Sequence, residues 1–288
     1  METMAKDTFL NRKTTLNLSG KLVDLASPAI MGILNLTDDS FYSKSRLSTV
    51  EQVLERAATI LDEGGKFIDI GAYSSRPGAR DVTAAEETEK VVTAVEAIGK
   101  AFPEALLSVD TFRAGVARAA VEAGAQLIND ISAGNMDEGM FETVADLGVP
   151  YVIMHMKGTP QTMQQHTVYA NLMLEMLDYF ADKVSRLKKL GVTDIILDPG
   201  FGFAKTLDQN YLVLQQLQEL DIFELPVLAG LSRKSMIYKF LGEGPEQALN
   251  GTTVLNTMAL LKGSNILRVH DVKAAAECVA LVQKTLEQ

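Results

Sequence analysis

One unit recurs eight times along this chain: a short apolar segment, then a polar residue or a glycine, then a stretch with helical signals. The apolar segments do not alternate with polar residues, which is typical of parallel strands buried on both faces. Eight such units joined by right-handed crossovers predict an α/β fold of the (β/α)8 TIM-barrel type. The predicted strands are 29–36, 66–71, 106–109, 126–128, 150–154, 194–197, 226–229 and 265–267.

Helix-start signals follow two of these segments. Ser48 with Glu51, and Thr83 with Glu86, have the spacing of a capping box, in which a hydroxyl and a carboxylate bond the first turn of a helix. Helices are predicted from these positions to about 62 and to about 100. The later ones are predicted over 112–123, 137–147, 169–190, 207–220, 234–240, 245–261 and 272–286.

The alternative architecture is an open doubly wound sheet. The chain has no G-x-G-x-x-G at the start of its first helix, and its eight units favour closure into a barrel. No linker or low-complexity segment divides it, so we expect a single domain over residues 1–288. Residues 14–25 alternate around Ser19-Gly20 and predict a β-hairpin that lies across the bottom of the barrel, which spans 28–288.

Composition excludes several classes of partner. The net charge is −10, and no run of lysine and arginine forms the basic patch of a nucleic-acid binder. No apolar run is long enough to cross a membrane, and the first residues lack the apolar core of a secretory signal. Cys278 is the single cysteine, so no intrachain disulfide can form. A cytoplasmic location is therefore expected.

Polar residues stand at or just beyond almost every predicted strand end. In a barrel these ends meet at one mouth, where active sites of this fold form. Taken singly, each residue has a local explanation: Asp110 could cap a helix, and Asn129 could stabilise a turn. Taken together they predict a site composed of Asn35, Ser75, Arg76, Asp110, Asn129, Met154, His155, Asp198, Lys234, Arg268 and His270.

The chemistry of these residues divides into two groups. Asp110, Asn129, Asp198 and Lys234 combine two carboxylates, an amide and an ammonium, which suit a flat polar heterocycle such as an aminopyrimidinone. The second group consists of donors that suit phosphate oxygens: Ser75, Arg76, Arg268 and His270. Asn35 could add Mg²⁺, which proteins often hold through one or two oxygens together with substrate phosphates. A polar heterocycle bearing a phosphate or diphosphate is the predicted ligand.

Eight motifs along the chain resemble those of dihydropteroate synthase, an enzyme family of folate biosynthesis. They occur in order between about Met31 and Asp271. The motifs are MGILNLTDDSF, SSRPGA, SVDTF, LINDISAG, VIMHMKGTP, DPGFGFAKT, GLSRKS and RVHDV. The resemblance implies a homodimeric, Mg²⁺-dependent TIM-barrel enzyme that is a target of sulfonamides. Such an enzyme joins 6-hydroxymethyl-7,8-dihydropterin diphosphate to 4-aminobenzoate and releases diphosphate.

The resemblance also implies roles for individual residues. The pterin would be held by Asp110, Asn129, Ile131, Met154, Asp198 and Lys234. The diphosphate would contact Asn35, Ser75, Arg76, Arg268 and His270, with Asn35 also binding Mg²⁺. The 4-aminobenzoate pocket would be shaped by Phe41, Pro77, Phe203, Lys234 and Ser235. Catalysis is expected to rest on Asp110, Asp198, Lys234 and Arg268, through a dissociative substitution in which the diphosphate leaves before the amine attacks.

The chain departs from the family pattern in two loops. The first usually reads T-P-D-S-F-S-D, and Asp38 and Ser43 stand here for its proline and its last aspartate. The second usually reads G-E-S-T-R-P-G, and Tyr73 and Ser75 replace its glutamate and threonine. Two alternative functions therefore stay open. One is the pterin-binding module of a corrinoid-dependent methyltransferase, against which Arg76, Arg268 and His270 argue; the other is a paralogue that binds pterin without turnover.

Overall fold

A computed structural model describes residues 14–36, 49–73 and 82–286. Its main element is an eight-stranded parallel sheet, with the strands in the order β8-β7-β6-β5-β4-β3-β10-β9. A parallel bridge between Leu197 and Val227 joins its two edges, so the sheet closes and the predicted barrel is confirmed. The strands are β3 (Ala29–Asn35), β4 (Phe67–Gly71), β5 (Leu106–Asp110), β6 (Leu127–Asp130), β7 (Tyr151–Met154), β8 (Ile195–Asp198), β9 (Leu228–Ala229) and β10 (Ile266–Val269).

Helices follow the barrel strands along the chain. Most agree with the predicted segments, but several begin or end a few residues away. The helices are α1 (Val50–Asp62), α2 (Ala84–Ala101), α3 (Ala114–Glu122), α4 (Met140–Leu147), α5 (Leu172–Lys189), α6 (Leu207–Gln215), α7 (Ser235–Leu241), α8 (Leu249–Leu261) and α9 (Val272–Leu286). None of the helices in these described ranges is both long and apolar enough to span a membrane.

Two differences at helix starts have clear causes. The cap of α1 is Thr49 rather than Ser48, and its capping box is completed by Gln52 rather than Glu51. Helix α3 begins at Ala114 rather than at 112, where the Asp137 carboxylate accepts the Ala114 N–H at 2.8 Å. A side chain from the next loop therefore caps α3, a contact that local sequence cannot reveal. At α2 the predicted N-cap is correct, since the Thr83 hydroxyl accepts the N–H of Glu86, which is one of the two bonds of the predicted capping box.

The predicted hairpin is present and closes the bottom of the barrel. It consists of β1 (Thr15–Leu18) and β2 (Lys21–Asp24), paired antiparallel around Ser19-Gly20. Its buried side chains form one apolar cluster with residues near the start of each of the eight barrel strands. The barrel members of that cluster are Ala29, Met31, Phe67, Leu106, Leu127, Val152, Ile196, Leu228 and Ile266.

The same barrel face becomes polar toward the mouth. Side chains two residues apart on a strand share a face, so Phe67 is followed inside the barrel by Asp69, and Leu106 by Ser108 and Asp110. Likewise Asn129 follows Leu127. The outward positions, such as Ile68 and Ile70, pack against the helices in the main apolar cluster. The barrel interior is thus filled by apolar side chains at the bottom and lined by polar and charged side chains at the mouth.

Gly200, just beyond β8, is required by the geometry of the mouth. It lies in the left-handed region with φ +69°, and its N–H donates to the Asp198 carboxylate at 2.7 Å. A Cβ at this position would lie 2.2 Å from the backbone oxygen of His155, which cannot move without displacing the end of β7. The close approach of these two strand ends therefore depends on glycine.

Replacing Gly200 by alanine should lower the free energy of unfolding by about 3 kcal/mol, since both the backbone and the contact with His155 become strained. Gly242 provides the matched control, because its φ of +72° is similar and no atom lies within 4 Å of its Cβ position. We expect Gly242→Ala to lose only about 1–2 kcal/mol. Denaturant unfolding of both variants measures the difference, and equal losses would refute the steric role.

Candidate active site

A buried carboxylate that was not among the predicted site residues lies at the centre of the barrel mouth. Asp69, on β4, is fully buried and accepts three hydrogen bonds from three other strands. The donors are Ser108 Oγ at 2.6 Å, Asn129 Nδ2 at 3.0 Å and Arg268 Nε at 2.5 Å. A buried carboxylate is tolerated only when it is paired and hydrogen-bonded in this way. Asp69 thus ties β5, β6 and β10 together just below the mouth.

Arg268 carries the second link of this network. Its Nη2 donates to Asp110 Oδ2 at 2.7 Å while its Nε holds Asp69. Burial opposes the charge of Arg268, but the two carboxylates outweigh it and raise its pKa above the ordinary value. Burial raises the pKa of Asp110 to about 7, although Arg268 acts in the opposite direction. Arg268 therefore favours the ionised form of Asp110.

Asn129 has a defined orientation because of Asp69. An ionised carboxylate accepts hydrogen bonds only, so the amide must turn its NH₂ group toward Asp69. The amide oxygen then lies on the other side of the group and can accept a bond from a ligand. The register pairs Asn129 directly with Asp110 on the neighbouring strand. One carboxylate and one amide therefore stand side by side at the rim.

Asp198 and Lys234 form the opposite side of the mouth. Burial raises the pKa of the Asp198 carboxyl, and the Lys234 ammonium acts against this rise. Burial lowers the pKa of Lys234 to about 8, partly offset by Asp198. The Lys234 ammonium also donates to the carbonyl of Phe201 and lies 4.9 Å from the centre of the Phe203 ring. The pair can thus offer an acceptor and a donor to one ligand.

An apolar wall adjoins these polar groups. Ile131, Met154 and Phe203, which the sequence predicts at two substrate pockets, belong to one apolar cluster. Phe112, Met156, Met163 and Ala204 complete its buried part. Tyr73, one of the departures from the family pattern, packs on it with its ring 5.0 Å from that of Phe112 in an edge-to-face arrangement. These side chains are the apolar contacts that the strand ends and loops next to the hydrogen-bonding groups can offer to a planar ring.

His155, predicted at this rim, is a structural residue rather than a solvent-facing one. It is buried, and its Nδ1 lies 3.1 Å from the Nζ of Lys205. Burial lowers the pKa of His155 well below its ordinary value, and that of Lys205 to about 7. Lys205 also donates to the carbonyls of Gly200 and Phe203 at 3.0 and 3.1 Å. It holds the loop after β8 against the end of β7.

Asn35 lies beside Asp110 across a glycine. Gly71 on β4 is paired with both residues in register, and a Cβ there would lie 3.8 Å from Asn35 Oδ1 and 3.8 Å from Asp110 Oδ2. The glycine thus leaves a small space bordered by an amide oxygen and a carboxylate oxygen. These are hard donors of the kind that Mg²⁺ takes. Within the described ranges no three histidine, cysteine or acidic side chains cluster as a metal site.

Several predicted residues belong to the same neighbourhood. The mouth brings together Asn35, Asp110, Asn129, Asp198, Lys234 and Arg268, with Ile131, Met154 and Phe203 in the adjoining wall. His270 follows β10, and Ser235 begins α7 directly after Lys234. Phe41, Ser75, Arg76 and Pro77 lie outside the described residues, as do the departures Asp38 and Ser43.

Comparisons with known proteins agree on one family. A family model described as pterin binding enzyme matches residues 31–270. Dihydropteroate synthase of Escherichia coli K12 is 40% identical over 93% of this chain and 95% of its own length. That of Synechocystis is 41% identical over 86% of both chains.

Two solved structures of dihydropteroate synthases superpose closely on this chain. The Yersinia pestis enzyme with a sulfonamide drug has a TM-score of 0.90, at 40% identity over 95% of this chain and 99% of its own. The Xanthomonas albilineans enzyme with 4-aminobenzoic acid has a TM-score of 0.88, at 36% identity over 96% and 99%.

Asp69→Asn should lower the free energy of unfolding by about 3 kcal/mol or more, because it leaves Arg268 partly uncompensated and turns an NH₂ group toward at least one of the present donors. The control is Asp146→Asn, the same change in the exposed ion pair of Asp146 with Arg118. That variant should lose less than about 1 kcal/mol. Equal effects in denaturant titrations would show that Asp69 does not organise the mouth.

Proposed function

This chain belongs to the dihydropteroate synthase family of pterin-binding enzymes, and from that premise we propose that its barrel mouth joins a pterin diphosphate to 4-aminobenzoate. The substrates are 6-hydroxymethyl-7,8-dihydropterin diphosphate and 4-aminobenzoate, and the products are 7,8-dihydropteroate and diphosphate. The observation that supports it most is the juxtaposition of Asp110, Asn129, Asp198 and Lys234 with the Arg268 guanidinium in one mouth.

The pterin fits the polar half of this site. Asp110 and Asp198 are acceptors for the N–H groups of the heterocycle, while the Asn129 oxygen and the Lys234 ammonium add an acceptor and a donor. Ile131 and Met154 provide apolar contact with the faces of the ring. The 4-aminobenzoate would lie beside Phe203, with its carboxylate toward Lys234 and Ser235 and with Phe41 and Pro77 completing the pocket.

The proposed reaction breaks the C–O bond between the pterin methylene and the diphosphate. The diphosphate leaves with the electron pair, and Arg268 and His270, together with Ser75 and Arg76, stabilise the charge that develops on it. Asp110 and Asp198 stabilise the positive charge that the methylene and the ring acquire. The aniline nitrogen then forms the new C–N bond and loses one proton.

Mg²⁺ is proposed as the cofactor, held by Asn35 together with substrate oxygens. The space next to Gly71, bordered by Asn35 and Asp110 oxygens, has donors suited to it. When bound, the ion neutralises charge on the leaving diphosphate. The small number of protein ligands is consistent with Mg²⁺ that arrives with a diphosphate, since proteins seldom build a full cage for this ion.

A homodimer in the cytoplasm is the proposed form of the enzyme. Three adjacent helices, α7, α8 and α9, present large apolar side chains to the outside. Exposed large apolar side chains on neighbouring helices favour an interface over a face in contact with water. The exposed side chains are Phe240, Leu241, Val254, Met258, Leu261 and Leu281.

The proposed function is tested by following dihydropteroate and diphosphate together. The wild-type chain should form them in equal amounts from the two substrates, and the rate should depend on Mg²⁺. Asn35→Ala should raise the Mg²⁺ concentration for half-maximal rate by about 10-fold, because one ligand oxygen is lost. Asn256→Ala is the control, since Asn256 is a buried asparagine of α8, outside the barrel mouth.

The outcomes separate the alternatives. Methyl transfer that requires a corrinoid would identify the methyltransferase module. Tight binding of pterin diphosphate without product would identify the paralogue that lacks turnover. An unchanged Mg²⁺ requirement in Asn35→Ala would contradict the role of Asn35 while leaving the overall reaction in place.

Val254→Glu should convert a dimer into monomers, because it places a charge among the exposed apolar side chains of α7–α9. The control is Leu22→Glu on the hairpin, where the leucine is 74% exposed at the bottom of the barrel. Light scattering coupled to size-exclusion chromatography gives the mass of each. A wild-type monomer, or a Val254→Glu dimer, would count against this interface.

A further inference from the structure

Two pairs of consecutive residues join the ends of β9 and β10. Ser232 and Arg233 follow β9, and His270 and Asp271 follow β10. Ser232 Oγ lies 3.0 Å from His270 Nδ1, and Arg233 forms two bonds to the Asp271 carboxylate, at 2.8 and 3.0 Å. The proposed reaction uses His270 but assigns nothing to Ser232, Arg233 or Asp271. The question is what this double link does for His270.

The Ser232 hydroxyl determines which nitrogen of His270 carries a proton. Its oxygen already accepts the backbone N–H of His270 at 3.1 Å. Ser232 is 5% exposed, so its own O–H is expected to donate a hydrogen bond. Within the part of the chain that the structure describes, Nδ1 of His270 is the one acceptor at hydrogen-bond distance from this hydroxyl. The O–H therefore donates to Nδ1, which must then be unprotonated.

The main chain around His270 is fixed on both sides, so this contact has a defined geometry. The Arg56 guanidinium donates to the His270 carbonyl at 2.6 Å. The Nη1 group of Arg233 donates to the carbonyls of Pro245 and Glu246, at 2.8 and 2.9 Å, which anchors the Asp271 side of the link. The ring can rotate little without breaking the Ser232 bond.

Only one proton resides on the ring at neutral pH. Burial, together with the neighbouring charge of Arg268, lowers the pKa of His270 to about 3. A neutral imidazole has one donor and one acceptor nitrogen, and its tautomer decides which is which. With Nδ1 as the acceptor, the donor is Nε2. In the opposite tautomer Nε2 would carry a lone pair and could not donate to an anion.

We propose that Ser232 is a positioning residue that holds His270 in its Nε2–H form, so that the ring donates to an oxygen of a bound diphosphate. The identity of this anion rests on the proposed function. These two hydrogen bonds also offset the cost of burying the serine hydroxyl, which accepts the backbone N–H of His270 and orients the His270 ring.

Nitrogen NMR of ¹⁵N-histidine-labelled protein reads the tautomer directly. The chain has three histidines, so His155→Gln and His166→Gln variants assign the spectrum. The expected wild-type His270 signals are those of an unprotonated Nδ1 and a protonated Nε2. Ser232→Ala should change the Nδ1 shift and mix the tautomers, and Ser232→Thr should restore the wild-type pattern.

Binding of inorganic diphosphate, measured by calorimetry, gives the functional readout. Ser232→Ala should weaken it about 5-fold, the effect of one lost hydrogen bond. The KM for the pterin diphosphate should rise similarly, with that for 4-aminobenzoate unchanged. Ser264→Ala is the matched control, because Ser264 is another buried serine whose hydroxyl donates to carbonyls at the opposite end of β10.

The outcomes are distinguishable. A wild-type His270 with its proton on Nδ1, or on both nitrogens, overturns the inference, as does a Ser232→Ala variant with unchanged tautomer and diphosphate binding. Equal losses in Ser264→Ala and Ser232→Ala would also overturn it by showing a purely structural effect. If the wild-type chain makes no dihydropteroate yet the NMR and diphosphate results are as expected, the proposed function fails and the role of Ser232 is supported.

Discussion

The Asp69 carboxylate is the constraint on which the barrel mouth depends. A fully buried charge requires donors on several sides, and here they come from β5, β6 and β10. Once Asp69 is satisfied, the orientation of Asn129 and the position of Arg268 are determined, and Arg268 in turn favours the ionised form of Asp110. Two of the groups predicted to recognise a pterin, Asn129 and Asp110, are therefore organised directly or through Arg268 by one residue that need not touch the ligand. Preorganisation of this kind reduces the free energy that ligand binding must spend on ordering these side chains.

The opposite end of the barrel makes this arrangement possible. The hairpin β1–β2 covers an apolar plug to which each barrel strand contributes, so water is excluded from below the polar layer. In such surroundings a carboxylate and a guanidinium interact more strongly than in water, and an unsatisfied group costs more. Every second side chain of a strand points into the barrel, so the inward residues stabilise the fold at one end of the strand and can contact a ligand at the other. Segment 66–71 contains both, with Phe67 in the plug and Asp69 two residues closer to the mouth.

The architecture and much of the mouth could be predicted from the sequence because both depend on local patterns. Apolar segments specify buried strands, and the residue after a strand must lie at the rim. Asp69 was missed because it is embedded within an apolar strand rather than at its end, although an acid in such a run signals a buried partner. The cap of α3 by Asp137 and the bond of Lys205 to His155 join residues from different loops or strand ends. No local pattern reports such contacts. The roles of Phe41, Ser75, Arg76 and Pro77 stay predictions.

The two halves of the mouth are organised differently. The residues proposed to bind the heterocycle are oriented in part from within the barrel, by Asp69 acting on Asn129 and Arg268. Of those proposed to bind the diphosphate, His270 is oriented from the rim, where Ser232 and Arg233 hold His270 and Asp271. Arg268 belongs to both, since it is bonded to Asp69 and Asp110 and stands two residues before His270. Arg268 donates to Asp69 and Asp110 through Nε and Nη2, so its other N–H groups could reach the proposed diphosphate without breaking either bond. Because Arg268 also opposes the rise that burial causes in the pKa of Asp110, one guanidinium links the residues proposed for both parts of the substrate.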